Sequence, residues 1–193
     1  MDTQNNLKVW DLFELGLIHE SVVPCRSKTL APVTCLYIPA EITTQELNHD
    51  HAFFGLKNGD VHIFDVKTMV WSEYLIGLES CFPAGDKTAA RVTDIKCHPD
   101  KMHRLLISYE RVGVAVFSIN KNRALFTREW QKDKDLQRGK VLSVAWYKQE
   151  QILVGYSLGG LELYQTSGKT SAGRPEILDF EYKNLVSMNI EVF

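Results

Sequence analysis

Three stretches carry residues whose types and spacing could do chemistry. Gly155-Tyr156-Ser157-Leu158-Gly159 spells G-x-S-x-G, the nucleophile elbow that lifts a serine on a strand-to-helix turn. Here the following residues are "LELYQT" at 161–166, a strand pattern, so the stretch reads as a hairpin turn; an esterase using Ser157 ranks third among the functions considered. "SGKT" at 167–170 imitates the tail of a phosphate-binding loop, but the position four residues before Gly168 is Tyr164 and no helical pattern follows, so the cradle of backbone amides is missing. His49 and His51 flank Asp50 in "NHDHAFF". Imidazoles two apart on a strand share a face and could bind metal, yet this stretch is a polar lead-in to a strand and no partner ligand set accompanies it. His62 alternates away from Val61 and Ile63, which predicts an exposed strand position. His98-Pro99 predicts a strand-end turn rather than a catalytic base. The four cysteines, Cys25, Cys35, Cys81 and Cys97, form no C-x-x-C pair; Cys35 and Cys97 lie in apolar strand runs, where a thiol behaves as a small hydrophobe. No catalytic, metal or cofactor site is expected.

The elements that would have to position any site are short strands. Helical periodicity is nearly absent, whereas runs rich in Val, Ile, Phe and Tyr are broken by Gly, Asn, Asp and Pro, the all-β pattern. Four segments repeat: "LKVWDL" at 7–12, "VHIFDV" at 61–66, "VAVFSI" at 114–119 and "LELYQT" at 161–166. Each has an aromatic fourth residue: Trp10, Phe64, Phe117 and Tyr164. The last three follow an apolar strand and a glycine turn at Gly59, Gly113 and Gly159-Gly160, where tight turns need positive φ. A further strand precedes each hairpin, at 33–40, 92–99 and 141–148, with Pro39 and Pro99 ending two of them. Another lies upstream each time, at 17–23, 70–76 and 124–130. The expected unit is therefore four antiparallel strands, the signature of a WD-type β-propeller.

The expected architecture is a partial propeller spanning residues 1–193. Residues 5–12 are an outer strand of a preceding blade, 17–66, 70–119 and 124–166 are three full blades, and 176–193 begin another. The chain is expected to be an internal piece of a larger propeller with an exposed sheet edge at each end. The long polar stretches at 77–91 and 131–140 read as loops between a blade's first and second strands, and 167–175 as a linker between blades. The repeat is degenerate: only Trp10-Asp11 is a literal Trp-Asp, and no Gly-His pair occurs.

Composition narrows the function classes. With 193 residues, 45% hydrophobic and 24% charged, the chain is long enough for a sizeable core. A formal charge of −2 argues against nucleic-acid binding and offers no polybasic handle for anionic lipids. No apolar run reaches the roughly 18–20 residues of a membrane-spanning helix, and "MDTQNN" lacks a signal-peptide pattern. A reducing, cytosolic compartment is expected.

Taken in order, "PVTCLYIP" at 32–39, "FFGLKNGDVHIFDVKTM" at 53–69, "VTDIKCHPDKMHRLLISYERVGVAVFSINKNRA" at 92–124 and "VLSVAWYKQEQILVGYSLGGLELYQ" at 141–165 resemble the N-terminal propeller of the lethal giant larvae/tomosyn family. Two departures stand out: Ser108 replaces a usual glycine beside Tyr109, and "ERVG" at 110–113 replaces an Asn/Asp-Gly turn. The resemblance implies a non-catalytic scaffold of exocytosis and polarised secretion. Its implied partners are t-SNAREs of the syntaxin class and exocytic Rab GTPases, and its implied place is the cytoplasm with peripheral association at the plasma membrane. It assigns no partner-contacting residue. A generic WD-repeat adaptor, in a ubiquitin ligase or coat assembly, is the alternative.

Overall fold

The computed structural model describes residues 5–24, 31–38, 51–83, 90–101, 103–130, 139–167 and 177–178. Among them the chain is all-β, with one helical turn, α1 (Leu78–Cys81). It divides into two compact units, Met1–Trp130 and Gln131–Phe193. No helix among the described residues is long and apolar enough to cross a membrane.

The first unit holds three antiparallel sheets. β1 (Asn6–Trp10) pairs with β2 (Leu17–Val22). β3 (Val33–Tyr37), β4 (His51–Leu56), β5 (Val61–Asp65) and β6 (Val70–Ile76) form a four-stranded sheet in chain order, and so do β7 (Val92–Cys97), β8 (Arg104–Tyr109), β9 (Gly113–Ser118) and β10 (Arg123–Glu129). The second unit is a third four-stranded sheet of β11 (Val141–Lys148), β12 (Gln151–Tyr156), β13 (Leu161–Gln165) and β14 (Ile177–Leu178).

These sheets are WD-type blades, but their grouping is one strand out of step with the expected 17–66, 70–119 and 124–166. Strands 17–22, 70–76 and 123–129 close the preceding hairpin instead of opening the next blade. The reason is local. Each is reached by a short turn that a side chain locks, as when Asp65 Oδ1 accepts from Lys67 N–H and Thr68 N–H, both at 2.9 Å; strands joined so tightly pair with each other. Accordingly 77–91 connects two sheets and does not lie inside one, and the N-terminal strand is half of a hairpin. Ile177–Leu178, expected to begin a new blade, pair with β13 and complete the last sheet; the rest of 176–193 lies outside the described residues.

Sheets in the first unit stack through apolar layers. One core joins the two four-stranded sheets. It takes Phe53, Val61, Ile63 and Ile76 from one and Val92, Ile95, Ile107, Tyr109 and Phe117 from the other. Gly55 permits the contact: a Cβ there would sit 2.5 Å from Val92 Cγ1 and 2.6 Å from Cys35 Sγ. Thr34 Oγ1 adds a polar stitch between β3 and β7, donating between the carbonyls of Val92 (2.6 Å) and Gly55 (3.1 Å). A second core packs Leu7 and Val9 of the first hairpin on Ala52, Phe54, Phe64 and Trp71. Trp71 stacks edgewise on Phe54 at 4.9 Å and donates from Nε1 to Ser21 Oγ at 2.9 Å.

This two-sided packing corrects one expectation. His62 is buried, not exposed. Alternation predicts solvent only where a sheet has one wet face, and the sheet carrying His62 is covered on both.

Candidate interaction surface

Among the described residues, none of those with chemical potential assembles into a catalytic constellation. Ser157 lies in the β12–β13 turn, where its N–H donates to Lys140 O and its Oγ accepts from Lys140 N–H, each at 2.8 Å. Sister turns do the same job with other residues: Lys57 N–H donates to Pro32 O at 2.9 Å and Glu110 N–H to Arg91 O at 2.8 Å. Position 157 therefore ties a hairpin turn to the start of the sheet's first strand. Gly59 (φ 90°) and Gly159 (φ 87°) take the left-handed conformation expected of them, while in "ERVG" Arg111 carries a φ of 119°.

His98 Nδ1 accepts from Asp100 N–H (3.0 Å) and Lys101 N–H (3.1 Å), the expected strand-end turn. His51 begins β4 opposite Asp65; His49, Asp50 and the stretch 168–170 lie outside the described residues. No group of three metal-ligating side chains occurs among the described residues. Burial pushes the Cys35 and Cys81 thiols up to about 11 and Cys97 up to about 12 — values at which none is a nucleophile near neutrality.

What the structure offers instead is a surface, built on a turn that three hairpins share. Asp11 Oδ1 accepts from Phe13 N–H (2.7 Å) and Glu14 N–H (3.1 Å). Those two bonds hold the Asp11 carboxyl below its ordinary value. Asp65 repeats this geometry, and Ser118 Oγ accepts from Lys121 N–H at 3.4 Å. The fourth residue beyond each anchor is left-handed: Leu15 (φ 53°), Met69 (φ 59°) and Asn122 (φ 48°). The three turns thus share an anchor side chain and a left-handed residue at the same spacing.

Their contents differ at the tip. The position two beyond the anchor is Lys67 in one turn and Asn120 in another, but Phe13 in the first, and Phe13 is 99% exposed. In the same turn and at the strand ends beside it Trp10, Leu12, Leu15, Leu17 and Ile18 are also exposed. Scattered surface leucines need no explanation, whereas a contiguous apolar patch marks an interaction site. The sequence held the signal for this: aligning "DLFEL" at 11–15 with "DVKTM" at 65–69 puts a phenylalanine opposite a lysine.

No family model matches the chain, and no curated protein matches it. Solved structures do. A chain of the mitotic checkpoint complex is similar with a TM-score of 0.58 at 14% identity, covering 89% of this chain and 44% of that one. Raptor of Chaetomium thermophilum gives 0.57 at 15%, covering 84% and 13%. The β-propeller domain of Cps50 (Swd1) of Myceliophteria thermophila gives 0.55 at 12%, covering 78% and 39%. All three are WD-repeat β-propellers, so the fold is a partial WD-type propeller. The chain spans less than half the length of each.

Proposed function

We propose that this chain is a non-catalytic WD-repeat scaffold that binds other proteins, with the β1–β2 turn as a point of contact. The observation that carries the reading is Phe13, fully exposed on a turn hydrogen-bonded to Asp11, whose sister turns carry lysine or asparagine there. Aromatic side chains held at low entropic cost are the usual anchors of protein interfaces. The test compares the proteins cross-linked to the wild type and to Phe13→Ser in cells. Loss of specific partners with an unchanged melting temperature is the expected result; identical partner sets overturn the reading.

A finer reading follows from the ordered resemblance of 32–39, 53–69, 92–124 and 141–165 to the lethal giant larvae/tomosyn family. The partners would then be t-SNAREs of the syntaxin class and exocytic Rab GTPases. The setting would be cytoplasmic, at the inner side of the plasma membrane, in support or restraint of vesicle fusion. Direct binding of the full-length gene product to recombinant t-SNAREs checks it. No binding, together with normal secretion on gene deletion, sinks it and leaves the general scaffold standing.

A further inference from the structure

Two hairpin turns at one end of the β7–β10 sheet are fastened side by side. His98 N–H donates to Arg104 O at 2.9 Å and Arg104 N–H to Lys101 O at 2.8 Å, which closes the first turn. Ile119 N–H donates to His103 O at 2.8 Å and ties the second turn to the first. The pairing register completes the arrangement. Ser118 on β9 stands opposite Arg104 on β8 and opposite Arg123 on β10. Residues directly opposite each other in antiparallel strands project from the same face, so Arg104, Ser118 and Arg123 form one row across three strands. Strand spacing puts the two arginine backbones about 10 Å apart, a span that two such side chains close on a single small anion. Arg123 is exposed and Arg104 half-buried.

The same row in the preceding sheet carries its own anion. There Asp65 stands between His51 and Val70. Its carboxyl is held below its ordinary value chiefly by the Thr68 backbone N–H, with His51 a further contributor. The turn at 65–70 is balanced, Asp65 against Lys67, and the turn at 11–17 is acidic, with Asp11 and Glu14. In the β7–β10 sheet Ser118 takes the carboxylate's place. Segments 98–104 and 118–123 hold Lys101, Arg104, Lys121 and Arg123 against a single carboxylate, Asp100. His103 registers the result. Burial lowers its pKa first, and the charged neighbours that lower it further are Arg104, Lys101, His98 and Lys121, all basic. The positive field is local to this pair of turns, on a chain whose formal charge is −2.

We infer that the Arg104–Ser118–Arg123 row receives the phosphoryl group of a phosphorylated serine or threonine in a partner protein. The ligand supplies the negative charge that Asp65 supplies to the sister row. Arginine suits this task, because its planar fork presents paired N–H donors to phosphate oxygens and clustered arginines read phosphorylated segments. Ser118 is buried, so the anion meets the guanidinium groups, and the charge of Lys121 adds to theirs. A phosphate monoester concentrates a charge of about −2 at one point, which matches a patch this narrow. A bilayer or a nucleic acid spreads its charge over many phosphates and is held by many basic groups, which this chain's balance does not favour. The inference rests on the reading of the chain as a protein-binding scaffold, but it uses a different surface from Phe13.

The full chain is passed over an immobilised peptide library with one fixed phosphoserine or phosphothreonine and degenerate flanks, beside the same library unphosphorylated. Enriched sequences are then measured by fluorescence anisotropy. Binding to the phosphorylated peptides alone is expected, weakened about tenfold or more by Arg123→Gln and by Arg104→Gln. Ser118→Asp, which rebuilds the carboxylate of the sister row, should abolish it. Asp65 anchors the equivalent turn, so this variant should fold. Circular dichroism checks each variant, and Arg123→Gln, at an exposed position, stands in for any that does not fold. Lys67→Gln leaves the affinity unchanged. Phe13→Ser also leaves it unchanged, so failure of the Phe13 surface and failure of this row are told apart. Equal retention of both libraries, or indifference to Ser118→Asp and Arg123→Gln, overturns the inference. So does tighter binding to phosphatidylserine vesicles or to a single-stranded oligonucleotide than to the phosphorylated peptides.

Discussion

At the scale of single residues, burial decides chemistry. Cys35, Cys81 and Cys97 are free thiols in apolar surroundings, raised to about 11, 11 and 12 by desolvation. Iodoacetamide at pH 7.5 should label them far more slowly than an unfolded control, and mass spectrometry of the alkylated peptides measures this. The sign for stability follows. A thiol harder to ionise when folded stabilises the unfolded state as soon as the unfolded thiol ionises. The thiols' contribution to stability should therefore be flat below pH about 8.5 and turn unfavourable as pH rises toward 11–12. Gly55 makes a second prediction. Its missing Cβ makes room for Val92 and Cys35, so Gly55→Ala should cost about 1–3 kcal/mol in denaturant unfolding through overpacking. Gly155→Ala, whose nearest neighbour is Ser143 Oγ at 3.1 Å, should cost less.

At the scale of elements, the blades are held to each other by a few polar stitches through apolar layers. Thr34 Oγ1 links the edges of β3 and β7. Thr34→Val keeps the shape and removes the donor, and a shift in denaturation midpoint of about 1 kcal/mol is expected. Within the second unit, the hydroxyls of Tyr156 and Tyr164 both donate to the buried Glu162 carboxylate. Glu162→Ala would remove the acceptor that both hydroxyls share, and about 1–3 kcal/mol should be lost; an unchanged denaturation midpoint would show that this bond pair contributes nothing net. Grouping strands was harder to read from sequence than finding them. The strands at 17–22, 70–76 and 123–129 are evident from their alternation, but which hairpin each joins depends on the turn geometry at Asp11, Asp65 and Ser118, which a list of apolar runs does not weigh.

At the scale of the whole molecule, the exposed apolar residues among those described concentrate on the first hairpin, where Trp10, Leu12, Phe13 and Leu15 stand in solvent. The weak net charge of −2 predicts no salt-sensitive retention on DNA.

The sequence by itself determined the class of structure. Period-two alternation, glycines at the turns of 59 and 159, and the recurring aromatic at 10, 64, 117 and 164 are local facts, and local facts suffice for strands and hairpins. It also determined that Ser157 and His98 are turn residues, because the letters around them continue as strand or stop at proline. Only the tertiary structure decided that His62 is buried, that 17–22 belongs with β1, and that Phe13 stands in solvent while Phe64 does not. Each of those depends on whether another sheet lies against the face in question, and a sheet's neighbour is set by packing at long range, not by the residues beside it in the chain.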